Sequence, residues 1–363
     1  MKLFFYVIGF LGFSLLSISG LRAQIHDFDS LVSHSAAFKA SAERMSDTLD
    51  LFGSHEILAV TFESDFKKLI KNKYKDEYQD AIIKIMINDT VQVTRKIAIK
   101  PRGNMRKSTC LIPPLKLNFQ KKDAFLDQLK EFDKIKMVLD CKKGNLYDQY
   151  LLSEYYAYRM QNMLTDYSLR TRLLLVTYVD TSGKMKEVTQ HGFFIETIDQ
   201  LAARLNAIQI ETQRIKDSYT DHKTLAVAYL FQYMIGNTDW SIPAMHNIYL
   251  IKSMDPTKNA LYAIPFDFDY AGIVDANYAL PDPNLGISTV RERVYRGVCL
   301  PENEVQHAGK AFLDKKNQIF DLYQNDQLLN KNVKNNIVAY LDEFFEVLEN
   351  KNLFKKNILD RCR

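Results

Sequence analysis

The sequence lacks the short motifs by which several common nucleotide-binding and hydrolytic folds are recognised. It contains no G-x-x-x-x-G-K-[ST], no G-x-G-x-x-G and no G-x-S-x-G segment. A P-loop NTPase, a Rossmann fold and a serine hydrolase therefore lose their main support. Cysteine is also scarce. The four cysteines, Cys110, Cys141, Cys299 and Cys362, form no C-x-x-C pair, which argues against a zinc ribbon or a thioredoxin-like redox site.

Charge of one sign is not in large excess either. The chain of 363 residues carries 48 Lys and Arg against 44 Asp and Glu, a formal net charge of +4, and nothing in it predicts nucleic-acid binding. Apolar residues make up 47% and charged residues 25% of the chain, which is typical of a folded soluble protein. The length suffices for one large core or two small lobes.

The N-terminus has the pattern of a secretory signal peptide over residues 1–23. Lys2 precedes the apolar run LFFYVIGFLGFSLLSISG, and Ala23 is a small residue at the predicted cleavage point before Gln24. An uncleaved anchor helix is the alternative, since the run is near the lower length for spanning a bilayer. We expect an exported protein, periplasmic or secreted, without stable membrane insertion after cleavage. In such a compartment two disulfides can form, and buried free thiols are the alternative.

Residues 24–54 form a polar extension without recognisable chemistry, and strand patterns begin after it. Alternating apolar residues over 91–99 and 115–119 predict an antiparallel sheet with one solvated face. Lys116 lies between Leu115 and Leu117, on the opposite face from both. It is either a solvated edge lysine or a lysine that reaches nucleotide phosphates.

Three further residues between 100 and 200 are candidates for contacts to a nucleotide. Arg102 lies in a basic turn beside Gly103 and can grip phosphate oxygens bidentately. Glu154, on a predicted helix, can pair with Lys116 as a sheet lysine and a helix glutamate do in kinases. Glu196 ends a predicted hairpin strand, where it would lie at a hinge between lobes. A surface turn and an exposed helix glutamate are the plain alternatives for the first two.

The strongest pattern is GNTDWSIPAMHNIYLI, residues 236–251, followed by YAIPFDFDYAGI, residues 262–273. A helix capped by Asp221 is predicted to end at Gly236, so that Asp239 hangs from it on a loop. Asn247 precedes one apolar strand and Asp267 follows the next. Oxygen ligands of this kind suit Mg²⁺ and leave positions for substrate phosphates, so the pattern predicts phosphoryl transfer with Asp239 as base or orienting group.

Asp269 belongs to the same segment and is compatible with a second class of reaction. If the strand continues, it points to the same side as Asp267, and both carboxylates could bind the metal. An Asp-x-Asp pair of this kind is also compatible with a metal-dependent glycosyltransferase that holds a sugar nucleotide. That alternative predicts that Lys116 is dispensable.

Taken together and in order, the segments IKPRGN with PLKLNF, HGFFIET, GNTDW with HN, and IPFDFD resemble the CotH family of atypical kinases. The resemblance spans about residues 55–275. It implies a protein-kinase-like fold and ATP-dependent transfer to a protein Ser/Thr hydroxyl with Mg²⁺ or Mn²⁺. It also implies that Lys116 lies at the phosphates, Asp239 in the catalytic loop, Asn247 and Asp267 at the metal, and Glu196 near the nucleotide hinge.

The chain departs from ordinary protein kinases in three respects. Asp239 and Asn247 are eight residues apart instead of five. No Gly-rich loop is present, so the turn at Arg102 must cover the phosphates instead. Asp-Phe-Asp replaces Asp-Phe-Gly. We therefore expect an α+β, two-lobed, protein-kinase-like fold with an antiparallel-sheet N-lobe (55–200) and a mostly helical C-lobe (201–363). A kinase-like binding module of the cell envelope without catalysis is the alternative, because an exported kinase must find ATP outside the cytoplasm.

Overall fold

The structure, a computed structural model, describes residues 50–87, 91–103, 107–108, 110, 112–119, 133–140 and 144–363. These residues belong to one compact unit. The predicted signal peptide, residues 24–49 of the extension, Asn104 of the basic turn and Cys141 lie outside the described residues.

Seven strands close into a barrel. They are β1 (Leu58–Ser64), β2 (Gln79–Met86), β3 (Gln92–Pro101), β4 (Leu115–Asn118), β5 (Lys134–Leu139), β6 (Thr171–Asp180) and β7 (Val188–Ile195). The order around the barrel is β1-β2-β3-β4-β5-β7-β6. β1 and β6 run parallel, from Leu58 beside Leu174 to Ser64 beside Asp180, and the other neighbours are antiparallel. Alternate residues such as Phe62, Ile83 and Leu117 are fully buried and fill the interior.

The predicted two-lobed, protein-kinase-like fold with an antiparallel N-lobe sheet is therefore wrong. The alternation identified the faces of β3 and β4, but a period of two does not reveal which strand edges meet. The parallel pairing of β1 with β6 closes the sheet into a mixed barrel. Closure leaves no free edge for the strands that pair there.

The remainder of the described chain combines a small sheet with helices. The sheet has the order β10-β9-β8 and contains β8 (Ala207–Ile210), β9 (Ile248–Ser253) and β10 (Leu261–Pro265). The described helices are α1 (Phe66–Lys71), α2 (Asn145–Leu164), α3 (Ile198–Arg204), α4 (His222–Ile235), α5 (Glu302–Gln324), α6 (Lys331–Glu349) and α7 (Lys351–Asn357). None of them is both long enough and apolar enough to cross a membrane.

Helices α2 and α4 connect the barrel to the rest of the fold. α2 contacts the barrel strands β6 and β7 and also the helices α4 and α5. α4 is almost wholly buried along Leu225–Ile235. Its N-terminus is capped by Asp221, whose side chain accepts from the Thr224 amide, and it ends at Gly236 with φ 66°. Both ends agree with the sequence prediction and set the position of the loop that follows.

A disulfide joins Cys299 to Cys362, and Cys110 is disulfide-bonded as well. Disulfide formation was one of the two expectations for these cysteines. The Arg363 amide donates to the Gly297 carbonyl, and the Cys299 amide donates to the Arg363 carbonyl. The end of the chain is thereby held against residues 297–299.

The contact between α2 and β7 includes an ion pair between a histidine and an aspartate. His191 Nδ1 lies 2.7 Å from Asp148 Oδ1. This hydrogen bond outweighs the effect of burial and raises the pKa of His191. Because the folded pKa is raised, the stabilisation is fully present below about pH 6.5, the ordinary value, and is lost as the pH rises through the folded pKa.

We therefore expect His191→Gln to lower the free energy of unfolding at pH 5.5 by up to about 1 kcal/mol, and by less at pH 9. Urea denaturation at the two pH values measures the difference. Asp148→Asn removes the other partner of the ion pair and should flatten the same pH dependence. An equal cost of His191→Gln at both pH values would contradict the assignment.

Candidate functional site

Hydrogen bonds from buried side chains fix the backbone of the loop that carries Asp239. Trp240 is buried, and its indole Nε1 donates to the Asn237 carbonyl at 3.1 Å. The Asn237 side chain accepts from the Asp239 amide at 3.0 Å. Arg296 donates to the carbonyls of Thr238 and Trp240. The backbone around Asp239 is thus fixed by buried groups, which preorganises the carboxylate.

Asp239 forms the centre of a small polar cluster with His246 and Asn247. His246 Nε2 lies 2.8 Å from Asp239 Oδ1. Asn247 Nδ2 donates to Asp239 Oδ2 at 3.0 Å and to the Asp239 carbonyl at 2.8 Å. The amide nitrogen of Asn247 is occupied in this way, so its oxygen Oδ1 is turned away from Asp239.

The eight-residue step between Asp239 and Asn247 is absorbed by a tight loop. Ser241 and His246 pair through both backbone hydrogen bonds, each 2.9 Å. Met245 and Asn247 have φ values of 49° and 52°, in the left-handed region that few non-glycine residues adopt. Backbone conformations of this kind are concentrated at functional sites. The longer loop therefore still returns Asn247 to Asp239.

Asp267 lies at the same end of the β9–β10 hairpin as Asn247. β9 starts at Ile248 opposite Pro265, the last residue of β10, and the Phe266 amide donates to the Asn247 carbonyl at 3.0 Å. Asp267 itself is exposed and has φ 64°. The hairpin thus brings Asn247 and Asp267 together, as their positions in the sequence predicted.

The backbone of Asp267 is held by a buried tyrosine on α2. Its amide donates to Tyr158 Oη at 2.8 Å. Burial raises the pKa of Tyr158, and the carboxylates of Glu154 and Asp267 raise it further. The phenol is therefore neutral at physiological pH and acts as a fixed dipole beside Asp267.

Asp269 does not continue the strand geometry on which its metal role was predicted. β10 ends at Pro265, and the left-handed Asp267 interrupts the alternation between 267 and 269. Asp269 is buried, and Tyr278 Oη donates to its Oδ2 at 3.4 Å. The strand does not continue to Asp269, so the condition under which both carboxylates point to one side is not met. The metal role of Asp269 and the glycosyltransferase alternative stay predictions.

Lys116 belongs to a row of three lysines across adjacent barrel strands. Lys100 on β3 is directly opposite Lys116 on β4, which is directly opposite Lys136 on β5. We call Lys100, Lys116 and Lys136 the lysine row. Burial and the positive charges of Lys100 and Lys136 lower the pKa of Lys116. In the described part of the chain its ammonium makes no hydrogen bond and no ion pair.

A chain of contacts joins the lysine row to the acidic loops. Lys136 Nζ donates to Tyr249 Oη at 2.6 Å and lies 5.2 Å from the centre of its ring. The Tyr249 ring stacks on Phe266 with centroids 4.1 Å apart. Phe266 precedes Asp267 and bonds to Asn247 as described above. The barrel lysines and the Asn247–Asp267 hairpin end are therefore parts of one region.

Arg102 and Glu154 lie close to this region, but the predicted ion pair between Lys116 and Glu154 is not formed between these described residues. The Arg102 guanidinium is near enough to lower the pKa of both Lys116 and Tyr158. Glu154 is 2% exposed and acts on Tyr158 from the same helix. Their contacts to a nucleotide stay predictions.

Glu196 is occupied by an ion pair within the fold. Its carboxylate accepts from Arg204 Nε at 3.0 Å and from Arg204 Nη2 at 2.9 Å, and the Arg170 amide donates to it at 3.0 Å. Only 4% of Glu196 is exposed. This arrangement ties the end of β7 to α3 and favours a structural role, while its place near a nucleotide hinge stays a prediction.

Sequence reasoning missed Lys136, Tyr249 and Tyr158. Lys136 alternates with apolar residues on β5 as Lys116 does on β4, so the same pattern could have marked it. Tyr158 lies in a helix that was assigned to the core, and it is buried. Its contact with the site is the hydrogen bond from the Asp267 amide, which only the structure shows. No sequence signal distinguished Tyr249 from other strand tyrosines.

The donor set at the hairpin end fits a hard divalent cation, since Asn247 Oδ1 and the Asp267 carboxylate supply oxygen ligands. No group of three His, Cys, Asp or Glu residues suited to a metal occurs among the described residues. A site with two protein oxygens would complete its coordination with water and phosphate. A polar cavity of about 750 Å³ between α1 and β2 contains none of these residues, and we do not assign the chemistry to it.

Comparison with known proteins finds no family model that matches the chain and no curated protein with significant similarity to it. The resemblance to the CotH family therefore stays a prediction that rests on the ordered segments alone.

Proposed function

We propose that the protein is an exported, metal-dependent phosphotransferase that moves the terminal phosphoryl group of ATP to a hydroxyl group of a protein. The observation that carries the proposal is the hydrogen bond between Lys136 and Tyr249. It joins a row of cations suited to phosphates to a loop region in which Asp239, Asn247 and Asp267 meet. Cations, hard oxygen ligands and a carboxylate base are the parts that phosphoryl transfer requires.

Asn247 Oδ1 and the Asp267 carboxylate are the groups that would hold Mg²⁺ or Mn²⁺. A bound divalent ion would neutralise charge on the phosphate oxygens. Lys116 and Arg102 bind the phosphate oxygens from the barrel side. The lowered pKa of Lys116 is consistent with an anion-binding site, because the charged groups that lower it are all cations.

In the reaction, the acceptor hydroxyl oxygen attacks the terminal phosphorus and the bond from that phosphorus to the bridging oxygen breaks. ADP leaves with the electron pair of that bond, and the hydroxyl proton passes to Asp239. His246 and Asn247 hold the two carboxylate oxygens of Asp239 in place. Orientation of this kind is the main contribution a protein makes to phosphoryl transfer.

A second candidate is a binding module of the cell envelope without catalysis. It needs only the three neighbouring cations of the lysine row, which could hold an anionic polymer. Such a module would keep the fold and the lysine row but would not bind nucleotide together with a divalent metal.

The proposal is tested by thermal unfolding of the purified protein with ATP and Mg²⁺ or Mn²⁺. A ligand that binds only the folded state adds about 2.7 kcal/mol at a hundredfold excess over its dissociation constant, so we expect a clear rise in melting temperature. Asp267→Ala should abolish the metal-dependent part of this rise. Asp314→Ala, which removes an exposed carboxylate on α5, is the matched control and should leave it intact. A wild-type protein that shows no shift with either metal would favour the binding module.

A further inference from the structure

The lysine row is an unfavourable arrangement for a barrel without a ligand. Lys100, Lys116 and Lys136 are cross-strand neighbours, so their Cβ atoms are about 4.5–5.5 Å apart and their like charges destabilise the sheet. Arg102 and Lys134 add further positive potential at Lys116. A cluster of this kind lowers stability unless an anion neutralises it.

The partners of the three ammonium groups do not neutralise the row within the described residues. Lys100 pairs with Asp76 at 2.9 Å, a carboxylate that is 68% exposed. Lys136 donates to the Tyr249 hydroxyl and not to a carboxylate. Lys116 has no hydrogen-bond or ion-pair partner there. Among the described residues, Lys116 and Lys136 therefore have no carboxylate partner, and only Lys100 has one.

We propose that the whole lysine row binds a linear polyphosphate chain, and that Lys136 leaves Tyr249 to contact a phosphate oxygen when the ligand arrives. The proposal deepens the proposed function and rests on it for the identity of the ligand, a nucleoside triphosphate. Neighbouring strands are about 4.8 Å apart, so the row presents charges in a line across the strands. A linear polyanion contacts several of them at once, whereas a single phosphate does not.

Tyr249 suits the role of a partner that is given up on binding. A phosphate oxygen attracts an ammonium by its negative charge as well as by the hydrogen bond, so it is a stronger acceptor than a phenol hydroxyl. Lys136 therefore gains by exchanging the phenol for phosphate. Tyr249 remains stacked on Phe266, so the exchange leaves the hairpin end in place.

The experiment is a calorimetric titration of the full chain with inorganic tripolyphosphate in the absence of divalent metal. We expect the wild type to bind it, and orthophosphate to bind more weakly by at least about tenfold. Lys136→Met should weaken tripolyphosphate binding about tenfold or more. The matched control is Lys96→Met, an exposed lysine on the same strand as Lys100 and about 13 Å from it, which should change the affinity less than about twofold.

Tyr249→Phe separates a phosphate contact from a structural role of the Lys136–Tyr249 bond. It removes the hydroxyl and keeps the ring that stacks on Phe266. If Lys136 contacts phosphate, this variant binds tripolyphosphate as tightly as the wild type or more tightly. If the bond only supports the fold, Tyr249→Phe weakens binding as much as Lys136→Met does, and the proposal is overturned. Absence of tripolyphosphate binding by a folded wild type, or equal effects of Lys136→Met and Lys96→Met, would also overturn it.

The experiments distinguish a failure of the polyphosphate proposal from a failure of the phosphotransferase proposal. Tripolyphosphate binding requires neither Asp239 nor an acceptor. Row-dependent binding without any ATP turnover would keep the lysine row as a polyphosphate site and reject the phosphotransferase. ATP turnover that survives Lys136→Met, in a protein that does not bind tripolyphosphate, would reject the lysine row and keep the enzyme.

Discussion

Asp239→Asn is expected to reduce ATP turnover by about 10²–10⁴-fold, the usual contribution of a positioned general base. The substitution conserves volume but removes the charge that accepts the hydroxyl proton. It also leaves one oxygen where Asp239 now uses two, for His246 and for Asn247. Release of ADP in the presence of Mg²⁺ or Mn²⁺ is the measurement.

The matched control for this substitution is Asp342→Asn, which removes the charge of an exposed aspartate on α6 and should leave turnover unchanged. The melting temperature of Asp239→Asn should lie close to that of the wild type, because Asp239 is partly exposed and surface substitutions usually have small effects. A variant that keeps more than a tenth of the wild-type turnover would show that Asp239 is not the base.

Gly236→Ala is expected to cost about 2–5 kcal/mol of folding stability, the sum of a left-handed backbone penalty and overpacking. Gly236 has φ 66°, and an added Cβ would lie 2.0 Å from Tyr340 Oη. Tyr340 cannot move easily, because it is 1% exposed and the guanidinium groups of Arg291 and Arg293 pack against it, 4.2 and 3.5 Å from its ring centre. Denaturation in urea measures the cost.

Gly286→Ala isolates the contact with Tyr340 from the backbone penalty. Gly286 has φ 68°, and nothing lies within 4 Å of an added Cβ. We expect it to cost only the backbone part, about 1–2 kcal/mol. If the two variants were equally destabilised, the close approach of Gly236 to Tyr340 would not matter. A larger loss at Gly236 would show that this glycine fixes the start of the Asp239 loop by steric fit.

Much of the local structure follows from the sequence. Helix α4 starts after Asp221 and ends before Gly236 as predicted, because a capping side chain and a left-handed glycine act within one turn of the helix. The hairpin of β6 and β7, whose second strand ends before Glu196, was also predicted, and it is confirmed. The proximity of Asn247 and Asp267 followed from a hairpin whose first strand Asn247 precedes and whose second strand Asp267 follows.

The candidate site was predicted in part. Asp239, Asn247 and Asp267 were identified because they flank strands and loops in a recognisable order. Lys136 and Tyr249 were not, because their contact joins β5 to β9 across more than a hundred residues. Glu196 was selected by its place at a strand end, and its partner Arg204 became evident only from the packing of α3.

The sequence by itself determined which residues face inward on β3 and β4, where α4 begins and ends, and which polar groups flank the β9–β10 hairpin. These depend on residue spacing and on contacts within a few positions. The tertiary structure alone decided that β1 pairs with β6 to close a barrel, that three lysines align across β3, β4 and β5, and that the row meets the acidic loops through Tyr249. Edge pairing and cross-strand register depend on distant segments that compete for the same partners, and local alternation is the same whichever partner is chosen.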